Sequence, residues 1–335
     1  MPLRECQIDR AYERTFRWVL DDSRQDIGFV QWLRENNSMF WIQGKAGSGK
    51  STLMKYICRQ QKTYQYLEEW AGTRVLATGK FFFWNSGARL QKSPEGLLIS
   101  LLCQVLQQHS HLTSYLNPQQ VNLVDGAIHS EIWDIEDLSN MIHGLLQGTP
   151  EMRYCFFIDG LDEFEGDLHV LIRILDTLSN NKNLKLCVSS RPEVQLNDAY
   201  SQFELLRVQD LTENDIKVYA SGRLTKHKAF QRFDQRGIIY QITRRASGVF
   251  LWVVLVVKSL IEGLDYGDDY EAIQRRLDDL PDDLNALFLS IIMSIPETYR
   301  VCSMVKRGSG TKVLVATRLT PASHGIAIYI GYLDR

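Results

Sequence analysis

The stretch Phe40–Met54, FWIQGKAGSGKSTLM, leaves the chain few folds to choose from. Gly44, four residues, then Gly49-Lys50-Ser51 satisfy the full phosphate-loop pattern. Met39–Gln43 is a short apolar run suited to a buried strand, and Ser51 onward reads as a helix, so the glycines fall at a strand-to-helix turn. Gly47 and Gly49 let successive backbone N–H groups point inward around an anion, and the helix beginning near Lys50 adds the positive end of its dipole there. The expected nucleotide-binding set is Gly44, Lys45, Ala46, Gly47, Ser48, Gly49, Lys50, Ser51 and Thr52, with ATP or ADP as ligand. Lys50 would reach the β- and γ-phosphates, and the Ser51 hydroxyl would hold Mg²⁺. A mere Gly-rich turn before a helix would not require all four fixed positions in that context.

Charge and cysteine usage narrow the partners. With 38 Lys and Arg against 40 Asp and Glu, the net charge of −2 gives no reason to expect nucleic acid or an anionic membrane surface. The cysteines at 6, 58, 103, 155, 187 and 302 include no Cys-x-x-Cys pair, which argues against a zinc site or a disulfide frame. Cys155 and Cys187 lie in apolar runs and read as buried thiols. His109 and His111 form a close pair without an acidic or Cys partner at metal spacing. The first residues lack the apolar core of a signal peptide, and the longest apolar run, Val249–Val257, is too short to cross a bilayer. A soluble cytoplasmic protein is the expectation.

A second informative stretch is Tyr154–Ile158 (YCFFI), an apolar run that reads as a strand buried on both faces and ends in Asp159-Gly160-Leu161-Asp162-Glu163. Such a strand end places a carboxylate beside Mg²⁺, a role for Asp159, while Asp162 or Glu163 could accept a proton from the attacking water or orient it. Further strands are expected at Val75–Trp84, Leu184–Val188 and Phe203–Val208. In a parallel sheet the C-terminal strand ends gather on one edge, which brings Arg191 near the γ-phosphate. Residues 1–35 read as two amphipathic helical segments broken at Asp21–Ser23, Gly96–Gln107 as an apolar helix, and Ile135–Leu146 as another. From Thr212, with Asp215 in a capping-box arrangement, helices are expected at Ile216–Leu224, Ile238–Thr243, Gly248–Leu264 and Leu284–Ile295.

Taken together, GKAGSGKST at 44–52, YCFFIDGLDEF at 154–164, CVSSRP at 187–192 and SGVFLWVVLVVKSL at 247–260 resemble the NACHT family of signal-transduction ATPases. The subgroup it resembles carries a nephrocystin-like NACHT module, common in fungal incompatibility proteins. The resemblance implies a P-loop NTPase of α/β class, its five-stranded parallel sheet flanked by helices and followed by a smaller all-helical subdomain. It also implies that the Arg191 strand is inserted between the phosphate-loop strand and the Asp159 strand, and that Arg191 is a sensor of the γ-phosphate. The segment Arg14–Trp18 is similar to the stretch that lies over the nucleotide base in related ATPases. Phe250 stands where many relatives have a proline that touches adenine.

The expected organisation is an N-terminal helical segment (1–35), an NTPase core (36–210), a helical subdomain (211–300) and a poorly ordered tail (301–335) from a truncated or mispredicted end. The resemblance implies a slowly hydrolysing switch that works through interdomain arrangement and self-association, here without effector or repeat domains. Three alternatives remain at the sequence level: a non-hydrolysing module stabilised by nucleotide, a P-loop kinase and, against the overall charge, a nucleic-acid motor.

Overall fold

The computed structural model describes residues 4–35, 39–116, 134–294, 301–307 and 310–316, with side chains as far as residue 290. Two compact units divide the chain, Met1–Tyr219 and Ala220–Arg335.

The first unit is built on β1 (Met39–Gln43), β2 (Val75–Phe82), β3 (Met152–Asp159), β4 (Leu184–Ser190) and β5 (Glu204–Arg207). They form one sheet in the order β2-β3-β4-β1-β5, with every pairing parallel. The expected fold class and the insertion of the Arg191 strand are both present. Central strands covered on both faces have no wet side, which is why MFWIQ and most of MRYCFFID and LKLCVSS are buried without alternation.

Side chains alternate between two cores. Phe40, Ile42, Cys155, Phe157 and Cys187 meet the N-terminal segment, which includes α1 (Arg4–Gln7), and the helices α2 (Phe29–Arg34), α3 (Lys50–Ile57) and α4 (Gln61–Ala71). Met39, Trp41, Phe156, Ile158, Leu186 and Val188 meet α5 (Pro94–Gln108), α6 (Ile135–Gly148), α7 (Leu168–Ser179) and α8 (Val194–Tyr200). Cys155 and Cys187 are buried free thiols, as their apolar runs predict. Lys185 interrupts the apolar run of β4. Its ammonium is fully buried, donates to the carbonyls of Trp32 and Leu33 at the end of α2, and lies over the rings of Trp32 and Trp70.

After β5 come α9 (Val208–Leu211) and α10 (Glu213–Leu224). The second unit contains α11 (Gln235–Ala246), α12 (Phe250–Asp265), α13 (Tyr270–Asp279) and α14 (Leu284–Ser294). Its core includes Ile242, Trp252, Val253, Val256, Val257, Leu260, Ile273 and Leu277, so four residues of the chain's longest apolar run, Trp252, Val253, Val256 and Val257, lie on the buried face of α12. The Trp252 indole N–H donates to the Pro281 carbonyl at 2.7 Å, satisfying the one polar atom this ring brings inside. In the tail, β6 (Val301–Arg307) and β7 (Gly310–Ala316) pair antiparallel with each other. Residues 317–335 lie outside the described residues. Among the described residues no helix is long and apolar enough to cross a membrane.

Three local expectations change. The segment before the break at Asp21–Ser23 holds α1 and only a 3₁₀ turn at Arg17–Leu20, and Gln25–Ile27 is a second 3₁₀ turn before α2, because Phe16 and Gly28 take left-handed backbone that no helix can continue through. Thr212 and Asp215 do not form a capping box, since Thr212 Oγ1 has no partner among the described residues and Asp215 is used elsewhere. The sequence reading also assigns nothing to α7, α8 and α13. Yet Asp167 caps α7 by accepting from the His169 N–H, and Leu171, Leu175 and Leu178 recur at helical spacing on its buried face.

Candidate functional site

Strand register gathers the polar residues. Gln43 pairs with Ser190 and Arg207, and Phe82 with Asp159, so the C-terminal ends of the strands lie along one edge of the sheet. The loop from Gly44 to Gly49 crosses that edge and leads into α3, which starts at Lys50. Its entry is fixed by the Gly44 N–H donating to the Ser190 carbonyl at 3.2 Å. Its exit is fixed by Gly49, whose φ of 96° and close approach to the Phe16 ring disfavour a side chain there. Lys45 and Ala46 form the exposed tip, and Thr52 is half-buried in the first turn of α3.

The loop's own polar groups are poised rather than satisfied. Lys50 Nζ donates to the carbonyls of Gly44 at 2.7 Å and Lys45 at 3.1 Å, folding back over the loop. Ser48 Oγ is fully buried and has no partner among the described residues. A side chain at Gly44 would collide with that hydroxyl and approach Gln209 Oε1, a second buried atom without a described partner. Close-approach glycines, the partnerless buried Ser48 hydroxyl and a helix N-terminus together fit a phosphate group.

The acidic cluster is brought to the same place. Asp159, the last residue of β3, is 2 % exposed and accepts from the Ser189 hydroxyl, while the Ser51 hydroxyl beside it favours its charged form. Burial pushes its carboxyl up, against the pull of those hydroxyls and of Lys50. Ser189 also accepts the Gly160 N–H at 3.1 Å, so this one serine orients both the carboxylate and the turn after it. Among the described residues no group of three or more His, Cys, Asp or Glu side chains could hold a metal ion. The Ser51–Asp159 pair is the kind of partial, all-oxygen shell that Mg²⁺ completes with phosphate and water.

Asp162 and Glu163 part company. Asp162 accepts from the Arg191 N–H at 2.9 Å and pairs with Arg191 Nε at 3.0 Å, so the expected sensor arginine holds both of its oxygens. Glu163 is half-buried and accepts the Asn85 N–H at 3.2 Å. Burial pushes its carboxyl up, opposed by the charge of Arg4 and the Asn85 bond. Burial lowers the Lys50 ammonium, while Asp162, Asp159 and Glu163 support its charge and Arg191 opposes it. Asp159, Asp162, Glu163 and Arg191 thus all act on Lys50. Sequence reasoning missed Ser189 as an orienting group, Asn85 as the partner of Glu163, and Gln209 beside Gly44. Only Ser189 carried a signal, as a hydroxyl at the end of a strand next to the acidic one.

The family profile described as Nephrocystin 3, N-terminal, matches residues 14–191, more than half of the chain. The chain belongs to this family. The nephrocystin 3 N-terminal match opens at the turn containing Phe16 and closes at Arg191, enclosing the phosphate loop and the acidic cluster. No curated protein matches the chain. Among solved structures it is similar to the Walker-type ATPase of Pyrococcus abyssi, at 14% identity and a TM-score of 0.44, covering 82% of this chain and 78% of that one. It is similar also to Cdc6p of Pyrobaculum aerophilum, at 11% identity and a TM-score of 0.45, covering 86% and 73%. The ORC2 protein of Aeropyrum pernix, solved in ADPNP and ADP complexes, gives 14% identity and a TM-score of 0.40 over 78% and 71%.

Proposed function

We propose that this chain binds ATP and ADP with Mg²⁺ at residues 44–52 and acts as a slowly hydrolysing switch of the NACHT type in signal transduction. The observation that carries the reading is the convergence of Lys50, the Ser51–Asp159 contact, the Asp162–Arg191 pair and Glu163 at one end of the sheet. Bound Mg²⁺ would neutralise phosphate charge beside Ser51 and Asp159. Lys50 gives up the Gly44 and Lys45 carbonyls for phosphate oxygens, a stronger charge-assisted bond. Glu163, held above the ordinary carboxylate range by burial, takes the role of base toward water. Arg191 exchanges Asp162 for the terminal phosphate, so presence or loss of that group is read as which anion the guanidinium holds. A device of this kind turns over slowly because the chemistry resets a state. Self-association of the core belongs to the same proposal.

The non-hydrolysing alternative is favoured by one observation: Glu163 already accepts the Asn85 N–H, and Asp162 is engaged by Arg191. The P-loop kinase has no observation in its favour. Calorimetric binding of ATP and ADP together with turnover, on the parent chain, Lys50→Ala and Glu163→Gln, separates these readings. Lys50→Ala is expected to weaken nucleotide binding on the order of 10–100-fold, and Glu163→Gln to keep binding while turnover falls about a hundredfold. Unchanged affinity in Lys50→Ala overturns the nucleotide site, whereas tight binding with no parental turnover selects the non-hydrolysing module.

A further inference from the structure

One carboxylate, far away in the sequence, holds the turn that covers the phosphate loop. Arg14 and Phe16 both have left-handed backbone, with φ of 70° and 60°, a region in which a side chain crowds its own carbonyl. Neither is a residue type that tolerates it well. Thr15 between them is locked by its N–H and its hydroxyl, both donated to the Tyr12 carbonyl at 3.0 and 2.7 Å. Asp215, in the first turn of α10, completes the restraint: its Oδ2 accepts the Phe16 N–H at 3.0 Å and the Trp18 indole N–H at 2.8 Å.

What this restraint delivers is the position of one ring. Phe16 is 2 % exposed, and its Cζ lies 3.3 Å from where a Cβ on Gly49 would stand. It also meets Tyr56 of α3 with ring centroids 6.3 Å apart. Gly49 is the left-handed residue from which α3, and with it Lys50 and Ser51, departs. The ring therefore bears on the residue that aims the loop's N–H groups and the lysine. Asp215 is itself 1 % exposed, and both of its described partners are neutral N–H donors. A strained turn and a buried carboxylate are two costly features, and they meet on a single contact with the phosphate loop.

We infer that Asp215 is a positioning residue for the nucleotide site: by holding Phe16 against Gly49 it sets the geometry of the phosphate loop. This rests on residues 44–52 binding nucleotide. Asp215 touches no reacting group and acts only through Phe16.

Calorimetric affinity for Mg²⁺–ADP in the full chain tests the inference, with thermal melts confirming that each variant is folded at the working temperature. Asp215→Ala and Phe16→Ala are each expected to weaken binding about tenfold. The double variant is expected to lose no more than Phe16→Ala alone, because both changes act on the same contact. Asp215→Asn, which keeps an oxygen acceptor for the two donors, is expected to stay within about threefold of the parent. Should Asp215→Ala fail to fold, Phe16→Ala and Asp215→Asn carry the comparison. Parental affinity in folded Asp215→Ala or Phe16→Ala, losses that add in the double variant, or an Asp215→Asn as weak as Phe16→Ala would each overturn the inference. A parent that binds no nucleotide, or a Lys50→Ala that binds as well as the parent, overturns the underlying site instead.

Discussion

Adjacent strands β3 and β4 each bury one charge, at opposite ends, and treat it differently. Asp159 closes β3 on the edge that faces the phosphate loop, and its partners are the hydroxyls of Ser51 and Ser189. Lys185 lies near the start of β4, and its partners are the backbone carbonyls of Trp32 and Leu33 and two indole rings. Burial pushes the aspartate up and the lysine down to about 7, so both are disfavoured as ions. The hydroxyls can turn to another ligand; the carbonyls cannot leave their helix. One buried charge is kept for exchange and the other for fastening, and the lesson is that partner mobility distinguishes them where burial does not.

The largest expected effect breaks the aspartate side. Asp159→Asn should lower Mg²⁺-dependent turnover about a hundredfold, measured by phosphate release across a magnesium titration. The same change should raise the unfolding free energy of the nucleotide-free protein by about 1 kcal/mol, because it removes a buried charge that function alone requires. A variant destabilised in urea would show that the charge also fastens. On the lysine side, Lys185→Ala should cost about 3 kcal/mol in the same urea experiment by emptying the space and orphaning two carbonyls. Nucleotide affinity measured below the transition should not change, and a loss there would erase the contrast.

The dependence on pH has opposite signs at the two residues. The folded state gives up the Lys185 proton near pH 7 while the unfolded chain holds it to about 10.4. The unfolded state therefore binds more protons between these values, and this residue makes stability rise with pH across that window. A neutral amine has two N–H donors for the two carbonyls, so the fastening survives deprotonation. For Asp159, raised in the fold, stability instead falls as pH climbs from the ordinary carboxylate range through the folded value. Urea melts from pH 7 to 10 on the parent and Lys185→Met should show the rise in the parent alone.

The parts of the site made by neighbours in sequence were legible from residues alone. The strand, loop and helix from Met39 to Ile57 announce themselves by spacing, and the acid after a buried strand does the same at Asp159. Contacts made across the fold were not. Asp215 looks like part of a helix cap because that is its local chemistry, yet its partners lie 199 and 197 positions away. Lys185 reads as an ordinary strand lysine until α2 supplies its acceptors. Ser189 becomes an orienting group only because β4 pairs beside β3. In the N-terminal segment periodicity misleads: the apolar residues of 16–20 are buried, but through a 3₁₀ turn entered from strained backbone.

The strand order carries a consequence for how the molecule is made. Within this sheet β1 is synthesised before its neighbours, which among the described residues are β4 and β5. At ribosomal speed the wait between Gln43 and the completion of β5 is on the order of ten seconds. Through that interval an almost wholly apolar strand bearing the phosphate loop has both hydrogen-bonding edges open, the situation in which nascent chains aggregate or call on chaperones. The grip on phosphate is thus written early and assembled late, and nucleotide can reward only a chain that has already brought its last strand home.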